Sequence, residues 1–476
     1  MGNESKVLEA IVRCHRGSVI APAGCGKTEQ IACAVVRSSD RRLILTHTIA
    51  GIDALRGRLK ELKADPAQYE IATIAAWALR LASSFPVRSS LIAVTPDGGD
   101  WDSVYVAAAK LIGSGAINGI IKASYAGVFV DEYQDCTKLQ HTLIRLLADI
   151  LPCCVFGDPL QSIFSFRGNL PPDWASEVLH VFPQIAELKR PWRWDRVGNQ
   201  ELGKWLLDSR DQLASGQLDL RGAPGTVNHL PLTAFDENAR KRQMTSLVAQ
   251  ALGQPDGEKC IVIGESQNET GRALLARDVK ATSIEPISCK RLAKFVSELE
   301  GCQGQARLDL VLDCVKDVMT KSDVAEIKKV VAGAIAGKRR RTPLNEVQSA
   351  CVEIVKSQDL RPILHLLEGL PRHCGGWVYR RELLSSLCGA LRGVVTGAHA
   401  TLADAVWDVQ NRRRHSGRRL GQRNIGSTLL VKGLQFDHAI IVDVEKLKRN
   451  DLYVAITRGA RSLTVISQSN VLRPKP

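Results

Sequence analysis

Short apolar runs alternate with helical periodicities along the first 190 residues. Runs typical of buried strands lie at 18–20, 43–45, 71–73, 128–130 and 153–156. Between the last two, apolar residues recur at helical spacing, at Leu139, Leu143, Leu146, Leu147, Ile150 and Leu151. This alternation predicts a parallel α/β sheet, and such sheets bind ligands at the carboxyl ends of their strands.

The first of these strands leads into a phosphate-binding loop, APAGCGKT at 21–28. Glycines let backbone N–H groups close around phosphates, Lys27 adds a positive charge, and Thr28 offers a hydroxyl to Mg²⁺. Ala21 replaces the first glycine of the general pattern. The loop predicts ATP or GTP binding through Ala21, Pro22, Ala23, Gly24, Cys25, Gly26, Lys27 and Thr28.

Two carboxylates, Asp131 and Glu132, follow the strand at 128–130. Taken alone, they are equally consistent with caps of the next helix. With a phosphate loop in the same chain, we expect Asp131 to hold Mg²⁺ and Glu132 to polarise the attacking water. Gln134 and Gln161 are candidates for sensing the γ-phosphate.

The rest of the chain predicts a second α/β domain with a large insertion. Strands are expected at 260–264, 439–442 and 463–466, a helix at 452–456 leads to Arg458, and residues 285–420 look helical and amphipathic. The predicted domains are 1–190, with an irregular small insertion at 81–124, then 191–284 together with 421–476, and a helical basic insertion at 285–420.

Charge favours a polyanionic partner. The net charge is +14, and residues 330–425 carry 16 Lys and Arg against 7 Asp and Glu. Such an excess suits nucleic acid, although a basic surface without a partner would look the same. No apolar run approaches the ~18–20 residues of a membrane span. The start has no signal-peptide core, and the thirteen cysteines are scattered. These features predict a cytoplasmic protein with reduced thiols and no membrane partner.

Eight segments in order resemble the UvrD/Rep/PcrA family of superfamily 1 DNA helicases. The segments are APAGCGKT at 21–28, LTHT at 45–48, TIAAWALRL at 73–81, VDEYQD at 130–135, GDPLQSIFSFRG at 157–168, LKRPWRW at 188–194, KGLQFD at 432–437 and LYVAITRGAR at 452–461. The resemblance implies two RecA-like P-loop domains with parallel sheets and ATP bound in the cleft between them.

The same resemblance implies roles for single residues. The implied catalytic set is Lys27, Asp131, Glu132, Gln161, Arg193 and Arg458. In it, Gln161 contacts the γ-phosphate, and the two arginines reach that phosphate from the second domain. Trp192 takes the place of an aromatic that stacks on adenine. Gln435 stands where the family has a glutamate that binds the ribose, and the family's adenine-reading glutamine has no clear counterpart among residues 3–11.

A DNA track is implied as well. Phe164 and Phe166 match aromatics that stack on bases, although two core phenylalanines are the alternative. The other implied contacts with DNA are Thr46, His47, Thr73 and Lys432. His47 stands where many members carry phenylalanine, and an ordinary surface histidine is its alternative reading. Residues 427–431 lack the histidine and serine that usually touch DNA.

The function implied is an ATP- and Mg²⁺-dependent translocase or helicase on single-stranded or tailed duplex DNA, moving 3′ to 5′. The compact chain also resembles the helicase-like subunit of anti-phage systems such as Gabija, which works beside a nuclease. Anti-phage defence or DNA repair is therefore expected. One rival is a DNA-activated ATPase sensor that regulates a partner nuclease and unwinds little; another is an RNA-directed ATPase.

Overall fold

The computed structural model describes residues 3–91, 100–164, 170–234, 236–253, 257–286, 289–339, 341–415 and 420–475. Its strands form two six-stranded sheets, and every pairing in both sheets is parallel. This confirms the predicted fold class, an α/β protein with two parallel sheets, a small insertion in the first α/β unit and a mostly helical insertion in the second.

The first sheet has the order β3-β2-β4-β5-β1-β6. Its strands are β1 Arg16–Ile20, β2 Arg42–Thr46, β3 Tyr69–Thr73, β4 Gly127–Val130, β5 Cys153–Gly157 and β6 Gln184–Glu187. The helices of this first unit are α1 Asn3–Val12, α2 Lys27–Arg37, α3 Ile49–Glu61, α4 Ile74–Ser84, α5 Pro86–Ser89, α6 Asp100–Gly113, α7 Asn118–Ser124, α8 Lys138–Ala148 and α9 Leu179–Val181.

Alternate residues of these strands serve opposite faces of the sheet. In β4, Val128 and Val130 join one buried cluster while Phe129 joins the other. In β5, Val155 and Phe156 divide in the same way. Because successive side chains of a strand point to opposite faces, runs that are apolar throughout predict helices on both sides.

The second sheet has the order β10-β11-β9-β12-β13-β8. In chain order the second unit contains α10 Trp192–Asp195, α11 Gln200–Ala214, β7 Leu218–Asp219, β8 Val227–Pro231, α12 Glu237–Ala251, β9 Cys260–Gly264, α13 Glu269–Asp278 and β10 Thr282–Ser283. It resumes with β11 Arg423–Ser427, α21 Thr428–Val431, β12 Phe436–Ile441, α22 Arg449–Ile456, β13 Gly459–Ser467 and β14 Val471–Leu472. Strand β14 pairs with β7 in a separate antiparallel ribbon.

Between β10 and β11 lies a helical block with its own buried cluster. Its helices are α14 Lys290–Gly301, α15 Gly304–Val318, α16 Val324–Ile335, α17 Glu346–Lys356, α18 Arg361–His373, α19 Arg381–Val395 and α20 Leu402–His415. A buried ion pair joins the block to the second unit, since Arg380 Nε lies 3.0 Å from a carboxylate oxygen of Glu285.

The expectation of irregular structure over 81–124 is wrong for the part that the structure describes. Helix α4 continues to Ser84, and α5, α6 and α7 follow. In α6, Val104, Ala108 and Leu111 are buried at helical spacing, in the cluster that also contains residues of α4 and α8. The proline and glycine signals at 96–99 fall outside the described residues. Over the described residues, packing of apolar helical faces against the core favours helices.

Two smaller differences concern the end of a helix and a strand. Helix α8 ends at Ala148, and Ile150 and Leu151 lie in the turn beyond it. Strand β11, Arg423–Ser427, was not predicted as a strand from the sequence. Within the described ranges, no single helix is both long and apolar enough to cross a membrane; α6 and α7, bent by 97° at their junction, meet that test of length and composition only as a pair.

Candidate nucleotide and nucleic-acid site

The loop between β1 and α2 has the backbone of an anion-binding turn. Gly24 and Gly26 have φ values of 72° and 85°, in the region that favours glycine. A Cβ added at Gly24 would lie 2.6 Å from the indole of Trp194. No side chain caps the start of α2 at Gly26. The first N–H groups of that helix therefore face the loop without a side-chain acceptor.

Lys27 bridges the two carboxylates that follow β4. Its Nζ lies 3.2 Å from Asp131 Oδ1 and 2.5 Å from Glu132 Oε1. Burial opposes the charge of Lys27, but the two carboxylates outweigh burial and raise its pKa. Burial raises the pKa of Asp131, whereas Lys27 and Lys432 overcome burial at Glu132 and lower its pKa. The shorter contact agrees with Glu132 as the main partner of Lys27.

Glu132 has an unusual backbone for a residue with a side chain. Its φ is 54°, in the left-handed region, and its N–H donates to Asp131 Oδ1 at 2.9 Å. Such conformations cost of order 1–3 kcal/mol and occur preferentially at functional sites. The turn aims both carboxylates at Lys27 from one strand end.

Gln134 and Gln161 are both buried and belong to one hydrogen-bonded path. Gln134 Nε2 donates to Glu132 Oε2 at 2.5 Å, and Gln134 Oε1 accepts from the N–H of Asp158 at 3.0 Å. Gln161 Nε2 donates to Asp158 Oδ2 at 2.9 Å. Gln134 therefore contacts Glu132, the candidate for water activation, whereas Gln161 is linked to Glu132 only through Asp158 and Gln134.

Arg193 and Arg458 come from the second unit and lie near each other. Arg458 is 2% exposed and donates to the carbonyl oxygens of Val454 and Leu434. Arg193 Nη1 donates to the carbonyl of Thr457 at 2.6 Å. Burial lowers the pKa of Arg193 to about 10, and burial together with Arg193 lowers the pKa of Arg458 to about 9.

Among the described residues, neither of these guanidiniums forms an ion pair with a carboxylate. Backbone carbonyl oxygens accept hydrogen bonds from both guanidiniums. In addition, the backbone N–H of Arg193 donates to the carbonyl of Gly24 in the phosphate loop at 3.1 Å. Two largely desolvated cations without an acidic partner favour an anion, because burying such charges unpaired is costly.

Trp192 lies beside the phosphate loop, as a base-stacking residue must. A Cβ added at Gly26 would lie 3.1 Å from its Cδ1. The guanidinium of Arg190 lies 3.5 Å from the centroid of the Trp192 ring and covers one indole face. Gln435, expected at the ribose, is exposed in the loop before β12.

Thr46, His47 and Thr73 meet at the carboxyl ends of β2 and β3, where Thr46 pairs with Thr73. The buried Thr46 hydroxyl has no hydrogen-bond partner among the described residues. His47 Nε2 lies 3.4 Å from Cys136 Sγ, and burial lowers the pKa of His47 to about 4. Thr73 caps α4 by accepting from the N–H of Ala76. The three residues expected to contact DNA thus share one sheet edge.

Lys432 reaches across the cleft instead of facing open solvent. Its Nζ lies 2.5 Å and 2.7 Å from the Asp135 oxygens and 2.5 Å from the carbonyl of Gln161. These three contacts match its three donors. Despite Lys432, burial raises the pKa of Asp135 to about 7. A lysine that contacts DNA needs an ammonium group that solvent can reach. The side chain of Lys432, for which the resemblance implies a DNA contact, is 8% exposed in this structure.

Phe164 is 38% exposed, and Lys432 Nζ lies 4.8 Å from the centroid of its ring. The alternative of a core phenylalanine does not hold for this residue. Phe166 lies outside the described residues.

Four residues of the site, Arg210, Asn450, Tyr453 and Asp158, were missed in the sequence. Arg210 on α11 donates to both oxygens of Asp158 and to the Tyr453 hydroxyl. Asn450 donates to the carbonyl of Ser162 across the cleft at 2.8 Å. Tyr453 lies within the motif at 452–461, and Asp158 follows β5 as Asp131 follows β4, so both carried a signal. Arg210 and Asn450 carried none.

Comparison with known proteins found similar sequences for parts of this chain. Residues 99–173 match the family described as UvrD/REP helicase N-terminal domain. A segment of 42 residues is 52% identical to the ATP-dependent DNA helicase PcrA of Staphylococcus epidermidis and of Staphylococcus aureus. That segment is 9% of this chain and spans only 6% of each relative. Parts of this chain are therefore similar to UvrD-like helicases, and the matched segment spans a small fraction of the relatives' length.

Two solved structures are similar over most of this chain. One is a complex of Arterivirus nonstructural protein 10 (helicase) with DNA; the TM-score is 0.35 at 10% identity, over 97% of this chain and 63% of that one. The other, a PRRSV helicase, gives a TM-score of 0.34 at 11% identity, over 98% of this chain and 54% of that one.

Proposed function

We propose that this chain is an ATP-dependent translocase or helicase that acts on single-stranded DNA and moves 3′ to 5′. Residues 1–190 form its first RecA-like domain in this proposal, 191–284 with 421–476 the second, and 285–420 a basic helical insertion. The observation that carries the proposal is the pair of guanidiniums of Arg193 and Arg458, which form no ion pair with a carboxylate in the described part of the chain. Arg193 also contacts the phosphate loop through its backbone N–H.

The chemistry follows from the charges around the loop. ATP phosphates would draw Lys27 away from Asp131 and Glu132, because a triphosphate competes with the carboxylates for its ammonium. Asp131 and the Thr28 hydroxyl would then hold Mg²⁺, which offsets phosphate charge when bound. Glu132 would orient the attacking water, and Gln161 would contact the γ-phosphate. Arg193 and Arg458 would stabilise the charge that gathers on the γ-phosphoryl oxygens.

Hydrolysis and domain closure are one event in this scheme. The arginines lie on α10 and just after α22, whereas Lys27 and Glu132 lie on the first unit. Each round of binding and release would therefore open and close the cleft. The sheet edge with Thr46, His47 and Thr73, and the half-exposed Phe164, would alternately grip and release a strand, since base stacking tolerates any sequence.

One observation favours a second function, a DNA-activated ATPase sensor that regulates a partner nuclease, as in an anti-phage system. Lys432 is committed to Asp135 across the cleft. A buried contact that must break before the cleft can open suits a switch.

A strand-separation assay distinguishes the helicase from the sensor. The purified chain would be mixed with ATP, Mg²⁺ and a duplex that carries a 3′ or a 5′ single-stranded tail. Unwinding of the 3′-tailed duplex by the wild type, its loss in Lys27→Ala and its retention in Lys204→Ala would support the helicase. Lys204 is an exposed lysine of α11 and serves as the matched control. ATP hydrolysis without unwinding of either duplex would favour the sensor.

A further inference from the structure

A second hydrogen-bonded path crosses the cleft, apart from the two arginines. Arg210 Nη1 lies 2.9 Å from each oxygen of Asp158 and 2.7 Å from the hydroxyl of Tyr453. The same hydroxyl accepts from the N–H of Ala23 in the phosphate loop at 3.4 Å. Arg210 lies on α11 and Tyr453 on α22, whereas Asp158 and Ala23 belong to the first unit.

Asp158 and Tyr453 are buried, and the pKa shifts of Tyr453 and Arg210 favour their protonated forms. Asp158 and Tyr453 are 0% and 1% exposed. Burial raises the pKa of Tyr453 well above its ordinary value, so the hydroxyl stays protonated. Asp158 and Tyr453 outweigh burial at Arg210 and raise its pKa. The path therefore joins a permanent cation, a carboxylate and a neutral phenol.

Asp158, the carboxylate at the centre of this path, also holds Gln161, the residue proposed to contact the γ-phosphate. Asp158 Oδ2 accepts from Gln161 Nε2, and the N–H of Asp158 donates to Gln134, which in turn donates to Glu132. Opening the cleft would take Arg210 away from Asp158 and leave a buried carboxylate with fewer donors. Closing it would restore the geometry of Asp158 and, through it, that of Gln161.

From this path we infer that Arg210 and Tyr453 are positioning residues, which couple closure of the cleft to the position of the Gln161 side chain. The inference rests on the proposed function. Neither side chain is assigned contact with ATP, so their effect passes through Asp158 and through the loop at Ala23. Tyr453 shares α22 with the segment that ends in Arg458, so one helix would place both the arginine and the hydroxyl.

A purely structural role makes a different prediction. If Arg210 and Tyr453 only held the two units together, removing the hydroxyl would lower stability and leave turnover unchanged. If they position Gln161, turnover falls while ATP still binds, because the interaction lost is one that the transition state uses.

The test uses the full chain with Tyr453→Phe, Arg210→Gln and Arg210→Lys, and with Tyr379→Phe as the matched control. Tyr379 is also buried, and its hydroxyl donates once, to the carbonyl of Lys316 in the helical block. Hydrogen bonds to charged groups suggest that the DNA-stimulated kcat falls by about tenfold to hundredfold in Tyr453→Phe and Arg210→Gln. KM for ATP should stay within about threefold, Arg210→Lys should recover part of the loss, and Tyr379→Phe should behave as wild type.

Hydrogen exchange supplies a readout that does not depend on turnover. The N–H of Gln161 donates to the carbonyl of Asp158. With a non-hydrolysable ATP analogue bound, its exchange should speed up in Tyr453→Phe and remain slow in Tyr379→Phe. Unchanged kcat with unchanged exchange would overturn the inference, as would a rise in KM alone. If the wild type hydrolyses no ATP, the proposed function fails, and the exchange measurement still decides whether Tyr453 controls Gln161.

Discussion

The contact between Lys432 and Asp135 allows a quantitative test of how the two units are joined. Their side chains are 8% and 6% exposed, and Nζ lies within 2.7 Å of both carboxylate oxygens. Removing one partner of a buried ion pair costs about 3–5 kcal/mol, whereas replacing both by neutral groups is often nearly neutral. Lys432→Met and Asp135→Asn should therefore each destabilise the closed arrangement, and the double variant should cost less than their sum.

The loss in Lys432→Met should also depend on pH. Burial raises the pKa of Asp135 to about 7, from an ordinary 3.8. Between these values the folded chain binds a proton that the unfolded chain has released, so this group's contribution to stability falls as pH rises. Without Lys432 the pKa moves higher still. The deficit of Lys432→Met relative to wild type should be small at pH 6 and grow above pH 7, by up to about 1.4 kcal/mol per pH unit.

The assay is urea unfolding of wild type, both single variants and the double variant at pH 6.0 and 8.5. Because the chain has several cores, the variants are compared on the transition that exposes the cleft. A coupling energy of at least about 1 kcal/mol at pH 8.5, smaller at pH 6.0, is expected. Additive single variants, or a Lys432→Met deficit equal at both pH values, would refute the buried-pair reasoning.

Three further predictions concern the site. Arg458→Ala should leave ATP-analogue binding nearly intact while kcat falls by a factor of ~10³ or more, as for arginine fingers; near-normal turnover would rule out a site built from both units. Burial lowers the pKa of His47 to about 4, so the stability that the neutral ring contributes above pH 6.5 is lost as pH falls toward 4. His47→Gln should therefore show a smaller change in Tm between pH 7 and pH 5 than the wild type. An equal change in Tm in both proteins would contradict this prediction. The basic clusters at 338–341 and 412–414 should make log Kd for single-stranded DNA steep in log salt; alanine at Lys338 and Arg339 should reduce that slope, and a flat dependence in the wild type would give these clusters another role.

Local patterns were sufficient to predict many strands of the two sheets and the phosphate loop. Continuous apolar runs predict strands buried on both faces, and those at β1, β4, β5 and β9 became central strands. Glycines at positive φ and a lysine at the start of α2 are local features too. Such signals need no knowledge of distant contacts.

Long-range contacts account for what the sequence did not predict. Nothing near Arg210 indicates that Asp158, 52 residues earlier, would accept its hydrogen bonds. The partner of Lys432 is 297 residues away, so its contact with Asp135 could not be predicted from neighbouring residues. In the small insertion, the proline and glycines at 96–99 indicated a loop, so the apolar face of α6 was not recognised. That face is buried in one cluster with residues of α4 and α8.

The most direct test of a DNA-coupled ATPase is its steady-state hydrolysis rate with and without single-stranded DNA. We expect strong stimulation by DNA, weaker stimulation by an equal length of RNA, and no hydrolysis by Lys27→Ala. Equal rates with and without DNA would contradict the motor and leave a switch that closes on another ligand. Hydrolysis in Lys27→Ala equal to wild type would place the activity outside this loop.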